Sequence, residues 1–222
     1  MEKRRNTRRR SSEKVLMILL VAVVLIGCAV GGTIAYFTDK TETVTNTFTV
    51  GKLFANPSED FTLWEHTIVD KNTDGVYELT ATEGVGNAYT VLPGVNLPKD
   101  PTVDIVDLEL NAYLYIKVDG MLPDGMSYTI TSDWEKLQGY AGIWVYKGSE
   151  ATNKVIHADS TAKKTFTVQI LTNNEIVVAP TFAYTDTNPI NKLVFTAYAV
   201  QAPGFNSAEE AWAATFGKPA NS

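Results

Sequence analysis

Hydrophobic and polar residues alternate along the middle of the chain. Even-numbered positions over 108–118 are apolar, whereas odd-numbered positions over 109–117 carry tyrosine, asparagine and charged side chains. Successive side chains of a β-strand point to opposite faces of a sheet, so this period of two predicts a long half-buried strand. We expect Tyr113 and Tyr115 on its exposed face, where they could line a sugar or partner surface. The strand propensity of tyrosine explains them as well.

Similar short patterns fill most of the remaining chain. Residues 44–50 and 166–170 alternate, while 143–146 and 193–200 are apolar on both faces, which is typical of more central strands. Gly and Pro recur between these segments and mark turns. Many short strands without alternating helices predict an all-β fold, a jelly-roll-like antiparallel β-sandwich.

One short helix is predicted near the carboxyl end. Ser207 and Glu210 have the spacing of a capping box, in which the serine caps a backbone amide and the glutamate reaches back. Trp212 and Phe216 share a face that we expect to pack on the sandwich. Gly217, followed by a proline, ends the helix.

The amino-terminal region has the composition of an export signal. Seven basic residues precede residue 15, and residues 15–30 form an uncharged apolar run that ends at two glycines. A basic segment, an apolar run and a small residue before the cut characterise secretory signal peptides. We predict a signal peptide over 1–35, cleaved between Ala35 and Tyr36. The chain is then expected to contact the membrane only through this leader, before cleavage.

Two other outcomes are compatible with the same leader. The uncharged stretch continues through Phe37 and is long enough to span a bilayer uncleaved. Residues 25–28 (LIGC) fit a lipoprotein box, with Cys28 as the lipidated residue.

Charge and cysteine content narrow the functions of the exported part. The chain has 19 Lys and Arg against 25 Asp and Glu, and much of the basic charge lies in the leader. The acidic remainder argues against binding nucleic acid, because phosphates are neutralised by Lys and Arg. Cys28 is the only cysteine, so we expect neither a disulfide nor thiol chemistry after cleavage.

Catalytic patterns are scarce. His66 and His157 are far apart and form no H-E-x-x-H motif, and there is no G-x-S-x-G elbow or glycine-rich phosphate loop. We therefore predict that the protein is not an enzyme and needs no cofactor.

One loop has the pattern of a calcium site. Asp70, Asn72 and Asp74 hold positions one, three and five of an EF-hand loop and Gly75 holds position six, but position twelve is Ala81. The alternative is a hairpin turn, since apolar strand-like segments flank a favoured Asp-Gly turn dipeptide.

Several segments resemble a known family. Residues 31–39 (GGTIAYFTD), 46–53 (NTFTVGKL), 92–94 (LPG), 98–101 (PKDP) and 197–212 are similar to exported proteins of the TasA, CalY and camelysin group. The leaders of that group are cut by a dedicated signal peptidase, SipW.

The resemblance implies a secreted jelly-roll subunit that polymerises with itself into extracellular biofilm-matrix fibres of a Gram-positive-type bacterium. It further implies a domain over 51–222 preceded by a strand at 36–50 that inserts into the neighbouring subunit. The residues expected in this assembly strand are Tyr36, Phe37, Val44, Phe48 and Val50.

Two alternatives belong to other functional classes. One is a cell-surface adhesin or carbohydrate-binding module, anchored by lipidated Cys28 or by an uncleaved helix. The other is a secreted metallopeptidase, because camelysin members are described as metal-dependent peptidases.

Overall fold

A computed structural model describes residues 38–40, 53–72, 74–159, 165–185 and 192–218, with only the backbone of 38–40. The strands are β1 (Thr38–Lys40), β2 (Phe61–Val69), β3 (Glu78–Gly84), β4 (Leu97–Pro98), β5 (Thr102–Ile105), β6 (Ala112–Asp119), β7 (Met126–Ser127), β8 (Trp134–Lys136), β9 (Ile143–Tyr146), β10 (Ala151–Thr152), β11 (Val155–Ile156), β12 (Phe166–Gln169), β13 (Glu175–Val178) and β14 (Val194–Gln201). The helices are α1 (Pro57–Asp60), α2 (Ala208–Phe216) and a 3₁₀ turn (Thr172–Asn174).

The described strands form three sheets, and their pairings are antiparallel. The largest has the order β1-β14-β6-β11-β10, with β9 also pairing with β6 and β8 pairing with β9. The second has the order β12-β5-β2-β3, and the third has the order β4-β13-β7. The all-β, sandwich-like fold with a short carboxyl-terminal helix that the sequence predicts is confirmed.

The main hydrophobic core lies between the first two sheets. Alternate residues of strands from both sheets point into it, as expected when two sheets pack face to face. Its members include Phe61, Val103, Ile105 and Val168 from the second sheet and Leu114, Ile116, Ala197 and Ala199 from the first.

Strand β6 begins at Ala112, four residues later than the predicted 108–118 strand. It has the predicted alternation, but both of its faces are buried. Leu114 and Ile116 enter the main core, whereas Tyr113 and Tyr115 enter a second core beneath α2. Tyr113 is 4% exposed and Tyr115 is 0% exposed. The expectation that these tyrosines line an exposed surface is therefore wrong, because the helix covers the face that the local pattern assigns to solvent.

The hairpin predicted around residue 74 is also present. Strand β2 pairs with β3 from Val69 opposite Glu78 to Glu65 opposite Gly84, with an irregularity between His66 and Ile68. Strand β3 has no buried residue, so it extends the second sheet beyond the sandwich core.

Candidate functional site

The residues expected to process and assemble the chain lie mostly outside the described residues. This holds for Cys28, Ala35, Tyr36, Phe37, Val44, Phe48 and Val50. Within the predicted 36–50 segment, Thr38–Lys40 is described, and it forms strand β1. The candidate site therefore consists of strand β1, its partner strand β14 and the residues that pack around them.

Strand β1 lies on the outer edge of β14 in its own chain. Thr38 pairs with Val200, Asp39 with Ala199 and Lys40 with Tyr198. An edge strand presents backbone N–H and C=O groups without ladder partners, and an added strand satisfies them. Within the described residues, this pairing covers three positions of the eight-residue strand β14.

The other edge of β14 is paired with β6, and this pairing fixes the position of β14. Strand β14 pairs with β6 along its whole length, from Val194 opposite Asp119 to Gln201 opposite Ala112. Its residues alternate between two cores, since Ala199 faces the sandwich interior and Tyr198 faces the cluster beneath α2. Burial on both faces fixes the register, because a slip of one residue would exchange the two faces.

Helix α2 begins with the predicted cap. The Ser207 hydroxyl accepts a hydrogen bond from the Glu210 backbone N–H at 3.1 Å. The Glu210 carboxylate reaches back one residue further than in a capping box, accepting from the Asn206 backbone N–H at 2.9 Å and from its side-chain amide at 3.0 Å. Gly217 ends the helix as predicted, with φ of 92° and its N–H donating to the Ala213 carbonyl.

Aromatic side chains attach α2 to the first sheet. Trp212 is 6% exposed, and its ring centroid lies 5.1 Å from that of Tyr115 and 5.3 Å from that of Tyr198. The Tyr115 hydroxyl donates to the Ala208 carbonyl oxygen at 2.8 Å. Burial raises the pKa of Tyr115 well above its usual range, so this hydroxyl remains a neutral donor.

An ion-pair cluster borders the same helix. The Lys154 ammonium lies 2.8 Å from a Glu135 carboxylate oxygen and 3.6 Å from one of Glu209. The hydrogen bond and charge of Lys154 lower the pKa of Glu135, and the hydrogen bond from Glu135 raises the pKa of Lys154. Lys154 thus links the first sheet to the start of α2.

A polar network, buried at Glu65, Lys99 and Asp100, connects β2 to the 98–101 segment of the chain. The Lys99 ammonium lies 2.5 Å from a Glu65 carboxylate oxygen, and their side chains are 11% and 6% exposed. Beside them, Nδ1 of His66 lies 2.6 Å from a carboxylate oxygen of Asp100, whose other carboxylate oxygen accepts from the His66 backbone N–H at 3.0 Å. Asn87 donates to Glu65 at 3.0 Å and to the His66 carbonyl at 2.8 Å.

Sequence reasoning missed this network. Lys99 and Asp100 enter the sequence predictions only through the family resemblance, and His66 only as a residue without an H-E-x-x-H motif. The partners lie 34 residues apart, so no local spacing connects them. The one available signal is the pair of charged residues Lys99 and Asp100 between two prolines. This pattern indicates an extended segment, but it does not predict which residues the two charges contact.

The predicted calcium ligands lie in the turn between β2 and β3. The Asp70 carboxylate accepts from the backbone N–H groups of Asp74 at 3.1 Å and Gly75 at 2.9 Å. Asp74 accepts from the Val76 backbone N–H at 3.0 Å. These bonds stabilise a turn, as the hairpin alternative requires. Calcium binding through Asp70, Asn72 and Asp74 stays a prediction.

Neither a cluster of metal-ligating side chains nor an apolar helix long enough to cross a membrane is present in the described part of the chain. Among those residues, no three His, Cys, Asp or Glu side chains are grouped so as to hold a metal ion. No helix among them has the length and apolar character to cross a membrane.

No protein-family model, curated protein or solved structure matches this chain. The resemblance to the TasA, CalY and camelysin group therefore stays a prediction.

Proposed function

We propose that the exported chain is a structural subunit of extracellular biofilm-matrix fibres. Each subunit adds its amino-terminal strand to the β14 edge of the next subunit. The observation that supports this proposal is the pairing of Thr38–Lys40 with Val200, Ala199 and Tyr198. Part of the segment expected to act as a donor occupies a sheet edge, and that edge is the surface a donor strand requires.

The same pairing can be made within one chain or between two. A strand that leaves its own edge and enters that of a neighbour makes the same backbone hydrogen bonds, so the exchange costs little in contacts. Donor and acceptor are different surfaces of the subunit. A head-to-tail contact of this kind that does not close into a ring produces a filament.

Signal cleavage fits into this proposal as the step that releases the strand. A dedicated signal peptidase that cuts after Ala35 would leave Tyr36 as the first residue, two residues before the start of β1 at Thr38. The exported chain would be localised to the extracellular matrix or cell surface, with further copies of itself as its partners.

Removal of the donor segment tests the proposal. The chain that starts at Tyr36 is expected to form filaments visible by electron microscopy, while the same chain lacking residues 36–47 is expected to sediment as a monomer. A matched control replaces residues 36–47 by a Gly/Ser segment of equal length, which keeps the length but lacks the strand pattern. Far-ultraviolet circular dichroism checks that all three chains fold. Undiminished polymerisation after the deletion would contradict strand addition.

Mass spectrometry of the exported amino terminus separates this proposal from an anchored adhesin. We expect a terminus at Tyr36. Lipid on Cys28 or an intact leader would instead favour attachment to the cell surface, and residues 36–50 would then act as a tether.

A further inference from the structure

The last turn of α2 leaves one aromatic side chain partly uncovered. Phe216 is 39% exposed, whereas Trp212, one helical turn earlier, is 6% exposed. The Phe216 ring centroid lies 4.9 Å from that of Tyr198 and 4.3 Å from that of Trp212. Phe216 is therefore held in place by two rings while part of its surface remains open.

The ring contacts show where this open surface lies on the sheet. Trp212 contacts Tyr115 on β6 and Tyr198 on β14, so it lies over both strands. Phe216 packs on Tyr198 of β14, and β14 separates β6 from β1 in the sheet. The carboxyl-terminal turn of α2 thus lies over the strand that receives β1.

The register identifies the strand position that meets these rings. Tyr198 is paired with Lys40. Directly opposed residues of an antiparallel pair project to the same face of the sheet, with Cβ atoms about 4.5–5.5 Å apart. The strand position opposite Tyr198 therefore belongs to the face of the sheet on which Tyr198 and Phe216 lie.

We propose that Tyr198 and Phe216 form an aromatic subsite of the acceptor edge. Its occupant is the side chain at the strand position opposite Tyr198, supplied by the amino-terminal strand of a second copy of this chain. The sequence places a lysine at this position, and a lysine suits such a subsite because its stem covers apolar surface while its ammonium is attracted to a ring face. This inference rests on the proposed function and assigns α2 a part in selecting the strand.

Peptide binding to the intact chain tests the subsite. Two labelled peptides of residues 36–50, one unaltered and one with Lys40→Ala, are titrated onto the chain that starts at Tyr36 and onto its Phe216→Ala variant. The ratio of the two dissociation constants on one chain is independent of competition from that chain's own strand. On the unaltered chain the Lys40→Ala peptide is expected to bind roughly two- to fivefold more weakly, and on the Phe216→Ala chain the two peptides should bind equally.

A peptide with Asp39→Ala is the matched control, since position 39 pairs with Ala199, which lies on the face of β14 opposite to Tyr198. Its ratio to the unaltered peptide should be the same on both chains. A Phe216→Leu chain keeps apolar bulk against Trp212, and it repeats the comparison if Phe216→Ala lowers stability. Equal Lys40→Ala ratios on unaltered and variant chains would overturn the subsite alone. Failure of the unaltered peptide to bind even the folded chain that lacks residues 36–47, whose β14 edge has no strand of its own, would overturn strand addition itself.

Discussion

The β14 edge and the β2 network hold the chain together by different means. At the β14 edge, β1 is attached by backbone pairing, while buried aromatic and aliphatic residues fix β14 from both faces. In the β2 network, Glu65, Lys99 and Asp100 are buried charged residues, each bonded to a named partner. The attachment of β1 to β14 thus depends on backbone N–H and C=O groups, whereas the β2 network depends on particular charged side chains.

This difference has a consequence for what each region can do. Backbone pairing tolerates exchange of one strand for an identical one, so the β14 edge suits the reversible contact between subunits that we propose. A buried ion pair fixes one geometry, because either partner left alone is a buried uncompensated charge. We therefore expect damage to the network to lower stability without changing assembly, and damage to the edge to do the reverse.

The largest effect on stability is expected from Lys99→Met. The substitution leaves the Glu65 carboxylate buried without its cation, which should lower the free energy of unfolding by about 3–5 kcal/mol in urea denaturation. Lys71→Met is the matched control, because Lys71 pairs with Glu78 where both side chains are more than half exposed. A loss as small as that of the control would contradict the assigned role of the network. Filaments of Lys99→Met chains should still form where the variant is folded.

A smaller effect is expected at the cap of α2. Ser207→Ala removes the acceptor for the Glu210 N–H and should lower the free energy of unfolding by about 1 kcal/mol, as measured by urea denaturation. Ser207→Asp keeps a capping oxygen and should restore most of the loss. Equal losses for the two variants would show that the cap does not stabilise the helix in this chain.

The smallest effect is expected at the ion pairs beside α2. Lys154→Met should lower the free energy of unfolding by at most about 1 kcal/mol at neutral pH, since Glu135 is 44% exposed and solvent screens the pair. The folded pKa of Glu135 lies below its ordinary value of 4.5. Its contribution is therefore complete above that value and is lost as pH falls through the lowered pKa. The difference between variant and unaltered chain should shrink at acidic pH, and a constant difference would contradict this assignment.

The local sequence pattern predicted where strands and helices lie better than it predicted which segments pack against them. The alternation over 108–118 located β6, and the spacing of Ser207 and Glu210 located the start of α2. The pattern failed at Tyr113 and Tyr115, because their cover comes from a helix about ninety residues later in the chain. Contacts between distant segments depend on tertiary packing, which local periodicity does not record.

At the candidate site, too, the sequence predicted a strand but not the strand with which it pairs. The resemblance to the TasA group pointed to the 36–50 segment as a strand, and Thr38–Lys40 is a strand. The identity of its partner, β14, and the register of the pair follow only from the sheet order. The pairing of His66 with Asp100 had no local signal, because the two residues meet only when β2 packs beside the 98–101 segment.

Disulfide trapping between two single-cysteine chains tests the central claim most directly. Chains with Asp39→Cys are mixed with chains with Ala199→Cys, both starting at Tyr36 and so lacking the only native cysteine, Cys28. Opposed Cα atoms in an antiparallel pair lie about 4.5–5.5 Å apart, within the range that a disulfide spans. Chains with Gln201→Cys serve as the control acceptor, because residue 201 lies on β14 two positions beyond Ala199, the residue opposite Asp39.

Strand addition predicts a disulfide between an Asp39→Cys chain and an Ala199→Cys chain, identified by mass spectrometry of the linked peptides. The control pair should give far less of the corresponding product. Filaments that form without this interchain disulfide, or with equal yields from both acceptor positions, would contradict assembly at the β14 edge.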